Sequence, residues 1–216
     1  MKLTIALFVI AVFATCAATA ADESGRSDKP PEHLHTLMEA APLPGDSLYQ
    51  LHVSLEVADG SKRLLSELRG QPLLVTMFYS HCTTVCPLIT AELQNIDHRL
   101  TPQQRAGIRV LMISFDTKRD TPTELRNFER QHQIHDPRWI VARASANDVR
   151  LVAAVLGIRY RQLPDHSFNH SAVISLSDRD GVVRATALGV QAADASFMAT
   201  VQSLSAAGSA NRSPDE

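Results

Sequence analysis

Cysteine is scarce in this chain: three in 216 residues, at Cys16, Cys82 and Cys86. A structural zinc site of four thiolates cannot be built from so few, and any zinc site would need histidine to complete it. Basic clusters are absent too. Lys and Arg number 21 against 23 Asp and Glu, for a net charge of −2, which argues against a nucleic-acid surface. Beyond the N-terminal segment no apolar run is long enough to cross a membrane, and no segment repeats. These absences leave an ordinary globular composition, 44% hydrophobic, with enough chain for one domain and a sizeable core.

The N-terminal stretch MKLTIALFVIAVFATCAATAAD places Lys2 before a long apolar run and then Ala18-Thr19-Ala20. That is the order of a secretory signal, so cleavage after Ala20 is expected, with residues 1–20 removed. Residues 3–21 are almost long enough to span a bilayer, and a retained membrane anchor is the alternative. Cys16 is discarded with this segment, since Phe13-Ala14-Thr15 makes a poor lipoprotein signal. An exported, periplasmic monomer is expected, membrane-bound only if the segment stays. Residues 21–47, rich in Pro, Ser, Asp and Glu, read as a flexible lead-in, and 206–216 as a disordered tail. The domain is expected over 48–205.

Within it the pattern alternates. Tyr49–Val57 reads as a strand entering a hairpin at Asp59-Gly60. Leu73–Tyr79 and Ile108–Phe115 are continuous apolar runs, as buried central strands require. Pro87–Leu100 has helical spacing, and Asp120-Thr121-Pro122 opens a second helix with Leu125, Phe128 and Ile134 on its inner side. Trp139–Ala142 is a short strand, and Asn147–Leu156 a helix stopped by Gly157. Ser171–Leu176 and Val182–Leu188 form a hairpin across Asp178-Arg179-Asp180-Gly181, and Ala192–Leu204 closes the chain as a helix. This order predicts an α/β fold of the thioredoxin-like kind: a central mixed sheet with helices on both faces and an N-terminal hairpin extension.

Cys82 and Cys86 lie where the first buried strand gives way to its helix, in FYSHCTTVCPLIT. Free backbone N–H groups and the positive end of a helix dipole favour thiolate there. Such thiolates suit Cu(I), Zn(II) or disulfide exchange. A trigonal copper site needs a third soft ligand, and imidazole is the usual one. Of nine histidines, His98, His132 and His135 read as solvated, His52 as an outward strand position, and His81 as a packing or tuning neighbour pointing away from the sulfur. His33 and His35, with Met38, make a loose copper-scavenging pattern in the lead-in. His166 and His170 sit on a loop that can approach the cysteine turn, and His170, directly before the hairpin strand, is the better candidate.

FYSHCTTVCPLIT, SFDTKRDTPTELRNF and NHSAVISLSDRDG, in that order, resemble the Sco/SenC family of copper chaperones over about Leu48 to Leu204. The resemblance implies a thioredoxin-like fold and one copper ion, Cu(I) or Cu(II), held by Cys82, Cys86 and His170. It also implies an exported or tethered location. The implied partner is the cytochrome c oxidase subunit that carries Cu(A), receiving copper or having its cysteines reduced beforehand; another periplasmic copper or thiol protein is the alternative. Two positions depart from the family. Thr83-Thr84 replace Pro and an acidic residue after the first cysteine, and Asn169 stands where Asp commonly precedes the ligand histidine, a change expected to affect ring orientation.

Three other readings compete. A periplasmic thiol–disulfide reductase would use Cys82 to attack and Cys86 to resolve. Thr83-Thr84-Val85-Cys86 matches the Thr-x-x-Cys of peroxiredoxins, without their preceding proline. A structural Cys82–Cys86 disulfide would close too short a loop to add much stability. Asp116 and Asp120 are expected to brace the loop beside the site, with Asp120 also capping its helix. A metallochaperone is favoured over an oxidoreductase.

Overall fold

A computed structural model describes residues 42–189 and 193–210 of the protein. The signal or anchor segment, Cys16 and the His33, His35, Met38 pattern lie outside the described residues. The strands are Ser54–Val57 (β1), Lys62–Leu64 (β2), Leu73–Phe78 (β3), Arg109–Ser114 (β4), Trp139–Arg143 (β5), Tyr160–Gln162 (β6), Phe168–His170 (β7), Val173–Ser177 (β8) and Val183–Leu188 (β9). The α-helices are Val85–His98 (α1), Pro102–Ala106 (α2), Pro122–Gln131 (α3), Ala146–Val155 (α4) and Ala195–Ala210 (α5).

Seven strands form one mixed sheet in the order β2-β1-β5-β4-β3-β8-β9. β3 pairs parallel with β4 and antiparallel with β8, and β4 pairs parallel with β5. Every residue of β3 is buried, as is nearly every residue of β4, so the centre of the sheet is covered on both faces. That is why these strands read as unbroken apolar runs rather than alternating ones. The covering layer includes α3 against β5 and β1, and α5 against β9. Phe78 of β3 meets Phe128 of α3 with ring centroids 4.3 Å apart. Among the described residues no helix is long and apolar enough to cross a membrane.

Several boundaries differ from the sequence reading. The expected strand Tyr49–Val57 keeps only its second half; Leu48–Gln50 is a 3-10 turn capped by Ser47, and His52 is exposed between the two, off any strand. Ser47 does not belong to a flexible lead-in: it is buried and bridges Val182. Helix α1 begins at Val85, so Cys86 lies in its first turn with Pro87 beside it. Ile134 is buried but beyond α3, past Gln133 at φ 55°. The closing helix starts later and runs to Ala210, so residues 206–210 are helical rather than tail. His132 is not merely solvated. Its ring packs on Phe128 at 4.3 Å, and burial pushes its pKa down.

The largest difference is the stretch before β8, expected as a loop. It is a two-stranded antiparallel ribbon, β6–β7, separate from the main sheet, with Tyr160 opposite His170 and Gln162 opposite Phe168. His170 therefore sits on a strand, fixed by backbone pairing.

Candidate metal centre

Strand β3 ends at Phe78, and the turn Tyr79–Thr84 carries Cys82 to the start of α1. The Cys82 sulfur accepts the Cys86 N–H at 3.3 Å. Thr84, the N-cap of α1, makes no side-chain cap bond, so the sulfur of Cys82 serves in its place. Burial opposes ionisation of Cys82. Hydrogen bonds from Cys86, Thr84 and His170 outweigh it and bring the thiol down to about 6. Cys86, fully buried, goes the other way: burial first, then the adjacent Cys82 and Asp120 charges, push its pKa up, against a backbone bond from Tyr79. One helix terminus thus makes one thiolate and one thiol. Both are free cysteines in this structure.

His170 comes from the ribbon, 84 residues away, with Nε2 3.6 Å from the Cys86 sulfur. Its Nδ1 lies 3.2 Å from the Ser171 carbonyl, which can only accept. With Nδ1 directed at that carbonyl, Nε2 is the ring nitrogen that faces the sulfurs. The ring is walled by Phe115 at 5.0 Å and by Tyr79, edge-on, at 6.0 Å. Phe168 packs on both Phe115 and Tyr79, and Tyr160 stacks on Phe115. These four aromatic side chains, with the Phe168 N–H on the Tyr79 hydroxyl at 3.4 Å, tie the ribbon to the cysteine turn.

The ligand atoms of Cys82, Cys86 and His170 all lie within 4.8 Å of one another, the one such group among the described residues. A trigonal ion with bonds of about 2.0–2.3 Å needs its ligands roughly 3.5–4 Å apart. The three atoms fit that with sub-ångström adjustment. Two soft sulfurs and one imidazole, itself softer than a carboxylate, suit Cu(I) better than a hard cation.

Other predicted residues fall outside this group. His166 is exposed, in the left-handed region at φ 64°, with its carbonyl taken by Arg119, and it supplies no fourth ligand. His81 turns to Ser80 Oγ at 2.9 Å. His98 and His135 are exposed. Asp120 does not cap α3; Thr121 does, accepting the Glu124 N–H. Asp120 is fully buried and accepts from the Ser80 N–H (2.9 Å), Ser80 Oγ (2.5 Å) and Ser114 Oγ (2.5 Å). It braces the turn two residues before Cys82. Asp116 is held by Arg119 and touches no ligand. Asn169 points to solvent, and the Ser171 carbonyl orients the imidazole instead. Thr83 and Thr84 are exposed above the site.

Sequence reasoning missed Phe115, Tyr160, Phe168, Ser80 and Ser114. A signal was present for some of them, since aromatic residues stand just before both ligand stretches, at Tyr79 and Phe168.

The SCO1/SenC family model matches residues 46–205, most of the chain and all of this site. The chain belongs to the SCO1/SenC family. A SCO1 protein homolog of Bacillus subtilis is 26% identical over 81 residues, 38% of this chain and 42% of that protein. The matched stretches span about two-fifths to two-thirds of the curated relatives' own length. Among solved structures, Bradyrhizobium japonicum ScoI with copper bound has a TM-score of 0.59 and 22% identity, covering 70% of this chain and 96% of that one. BsSco, a member of the Sco family of cytochrome c oxidase assembly proteins with a disulfide switch, gives 0.62 and 21%, covering 76% and 95%. At these identities the structures establish the shared fold of this SCO1/SenC protein, a thioredoxin-like one.

Proposed function

We propose that this SCO1/SenC protein is a copper metallochaperone. Cys82 Sγ, Cys86 Sγ and His170 Nε2 hold one copper ion as cargo. The convergence of two thiol sulfurs and an imidazole nitrogen, the last fixed by a ribbon 84 residues away, carries the reading. Copper in ScoI and the role of BsSco in cytochrome c oxidase assembly support it by kinship. The client proposed is the Cu(A)-bearing subunit of cytochrome c oxidase, or another periplasmic thiol protein. Delivery would proceed by ligand exchange, because a three-coordinate ion accepts an incoming sulfur before losing one of its own. Export, with removal or retention of the N-terminal segment, belongs to the same proposal.

The test is anaerobic copper titration of the reduced protein. One equivalent with intense thiolate-to-copper absorption is expected, and His170→Ala should weaken binding by about 100-fold or more while leaving the dithiol oxidisable. A variant that binds copper like wild type would sink the assignment.

The unequal thiols favour a second reading, reduction of a client disulfide. The Cys82 thiolate attacks one client sulfur and forms a mixed disulfide. Cys86 then displaces it, leaving a Cys82–Cys86 disulfide and a client reduced by two electrons. This reaction does not need the imidazole as a ligand, so His170→Ala separates the two.

A further inference from the structure

The β6–β7 ribbon has a cavity on each side. One, of about 600 Å³, is floored by Phe115, Tyr160 and Phe168 and edged by Lys118, Arg150, Arg159 and Arg161. Its single carboxylate, Asp116, is buried and held by Arg119. The other, of about 700 Å³, shares Arg159 and Arg161 and has the His170 imidazole and the exposed Leu188 in its wall. All four cations are exposed, and none is in an ion pair among the described residues. In a chain of net charge −2 this is a local concentration of positive charge on the two sides of the ribbon that carries His170.

We infer that this ribbon is the docking surface for the client and that the client presents an acidic segment to it. Charge complementarity selects the occupant. Cys82 and Cys86 are buried and line neither cavity; His170 is the one ligand in a cavity wall, so the second cavity is the mouth at which a client meets the site. Exposed cations that flank the mouth raise the encounter rate and orient a carboxylate-rich surface. A peptide segment fits better than a small anion, because the cations line a rim spanning two cavities rather than converging on one point. The inference rests on the proposed function and names the chemistry of the partner.

The probe is a fluorescein-labelled peptide with four glutamates on either side of a Ser-Gly-Gly-Gly-Ser core, titrated against the metal-free protein by anisotropy. Its counterpart carries glutamines. The acidic peptide should bind at low salt and weaken as salt rises. Arg159→Glu/Arg161→Glu should cost at least about 10-fold, and Lys118→Glu/Arg150→Glu a similar factor. Lys62→Glu/Arg63→Glu, the same charge reversal on the far edge strand β2, should change little. Equal losses from the β2 pair, no loss from the ribbon pair, or equal binding of the glutamine peptide would overturn the inference. So would full displacement by citrate at equal carboxylate concentration, which marks a small-anion site, or binding only to phosphatidylglycerol vesicles. Copper stoichiometry on the same variants is read separately, so a failed metal site and a failed docking surface are told apart.

Discussion

Cys82 and Cys86 share a helical turn and differ in what surrounds their sulfurs. Burial opposes ionisation of Cys82, and the hydrogen bonds around its sulfur outweigh it and bring its folded value to about 6, below the ordinary thiol value. Its thiolate contributes stability that is complete above that ordinary value and is lost as pH falls through 6. Cys86 has the opposite sign: burial, reinforced by Cys82, keeps it protonated, and its contribution is lost as pH rises. Alkylation of the reduced, metal-free protein should therefore show one thiol whose rate rises with a midpoint near pH 6, mapped to Cys82 by mass spectrometry. A single rise near pH 8.5 would contradict this. Asp120 is the other residue with a large effect. Replacing it with alanine removes the acceptor of the Ser80 N–H and of two hydroxyls, although Ser80 Oγ keeps His81 and Ser114 Oγ keeps the Asp116 N–H. At about 1–3 kcal/mol per unsatisfied buried group, partly relieved by relaxation, the expected loss is about 2–4 kcal/mol in urea unfolding. Copper affinity should fall by about 10-fold, because the turn before Cys82 loses its brace.

Among the elements, β3 and β4 were legible because a strand buried on both faces must be apolar throughout. The two short strands of the ribbon were not. Tyr160-Arg161-Gln162 and Phe168-Asn169-His170 are three residues each, polar at every second place or more, and too short to show a period. Their partners are each other and the aromatic residues just past β3 and β4, Tyr79 and Phe115, which no local pattern encodes. Asp120 failed for a related reason. Asp and Thr before a proline are both plausible caps, and Ser80, 40 residues upstream, decides between them. The two ligands in the motif were readable, and a place directly before the hairpin strand ranked His170 above His166, but the strand pairing that fixes His170 was not. The ribbon's position outside the main sheet also sets its energetics. Phe168→Ala should weaken copper binding by about 10-fold. Since this half-buried ring lies outside the main sheet, the variant should lower the thermal midpoint less than loss of a core phenylalanine does, its three ring contacts being about 0.5–1.5 kcal/mol each. Phe78→Ala, in the central strand, should cost about 3–5 kcal/mol. Calorimetry beside copper titration of both variants checks the contrast.

At the scale of the molecule, the start of the described chain is pinned to the far end of the hairpin. Ser47 bridges Val182, the Ser47 hydroxyl bonds the Asp180 carbonyl, and Arg69 pairs with Asp180 at 2.9 Å. Gly181 sits in this clasp at φ +83°, where an added Cβ would lie 2.7 Å from both Ser47 Oγ and the Tyr49 ring. Gly181→Ala should destabilise the fold by more than about 1 kcal/mol in urea unfolding while leaving copper stoichiometry at one. The separation of the ligands along the chain has a consequence in time. A ribosome adding about 5–20 residues per second makes Cys86 some 4–17 s before His170. Throughout that interval the nascent chain carries a dithiol with no imidazole to complete it. An oxidant met during synthesis would find two sulfurs free to join, whereas copper would find only half a site.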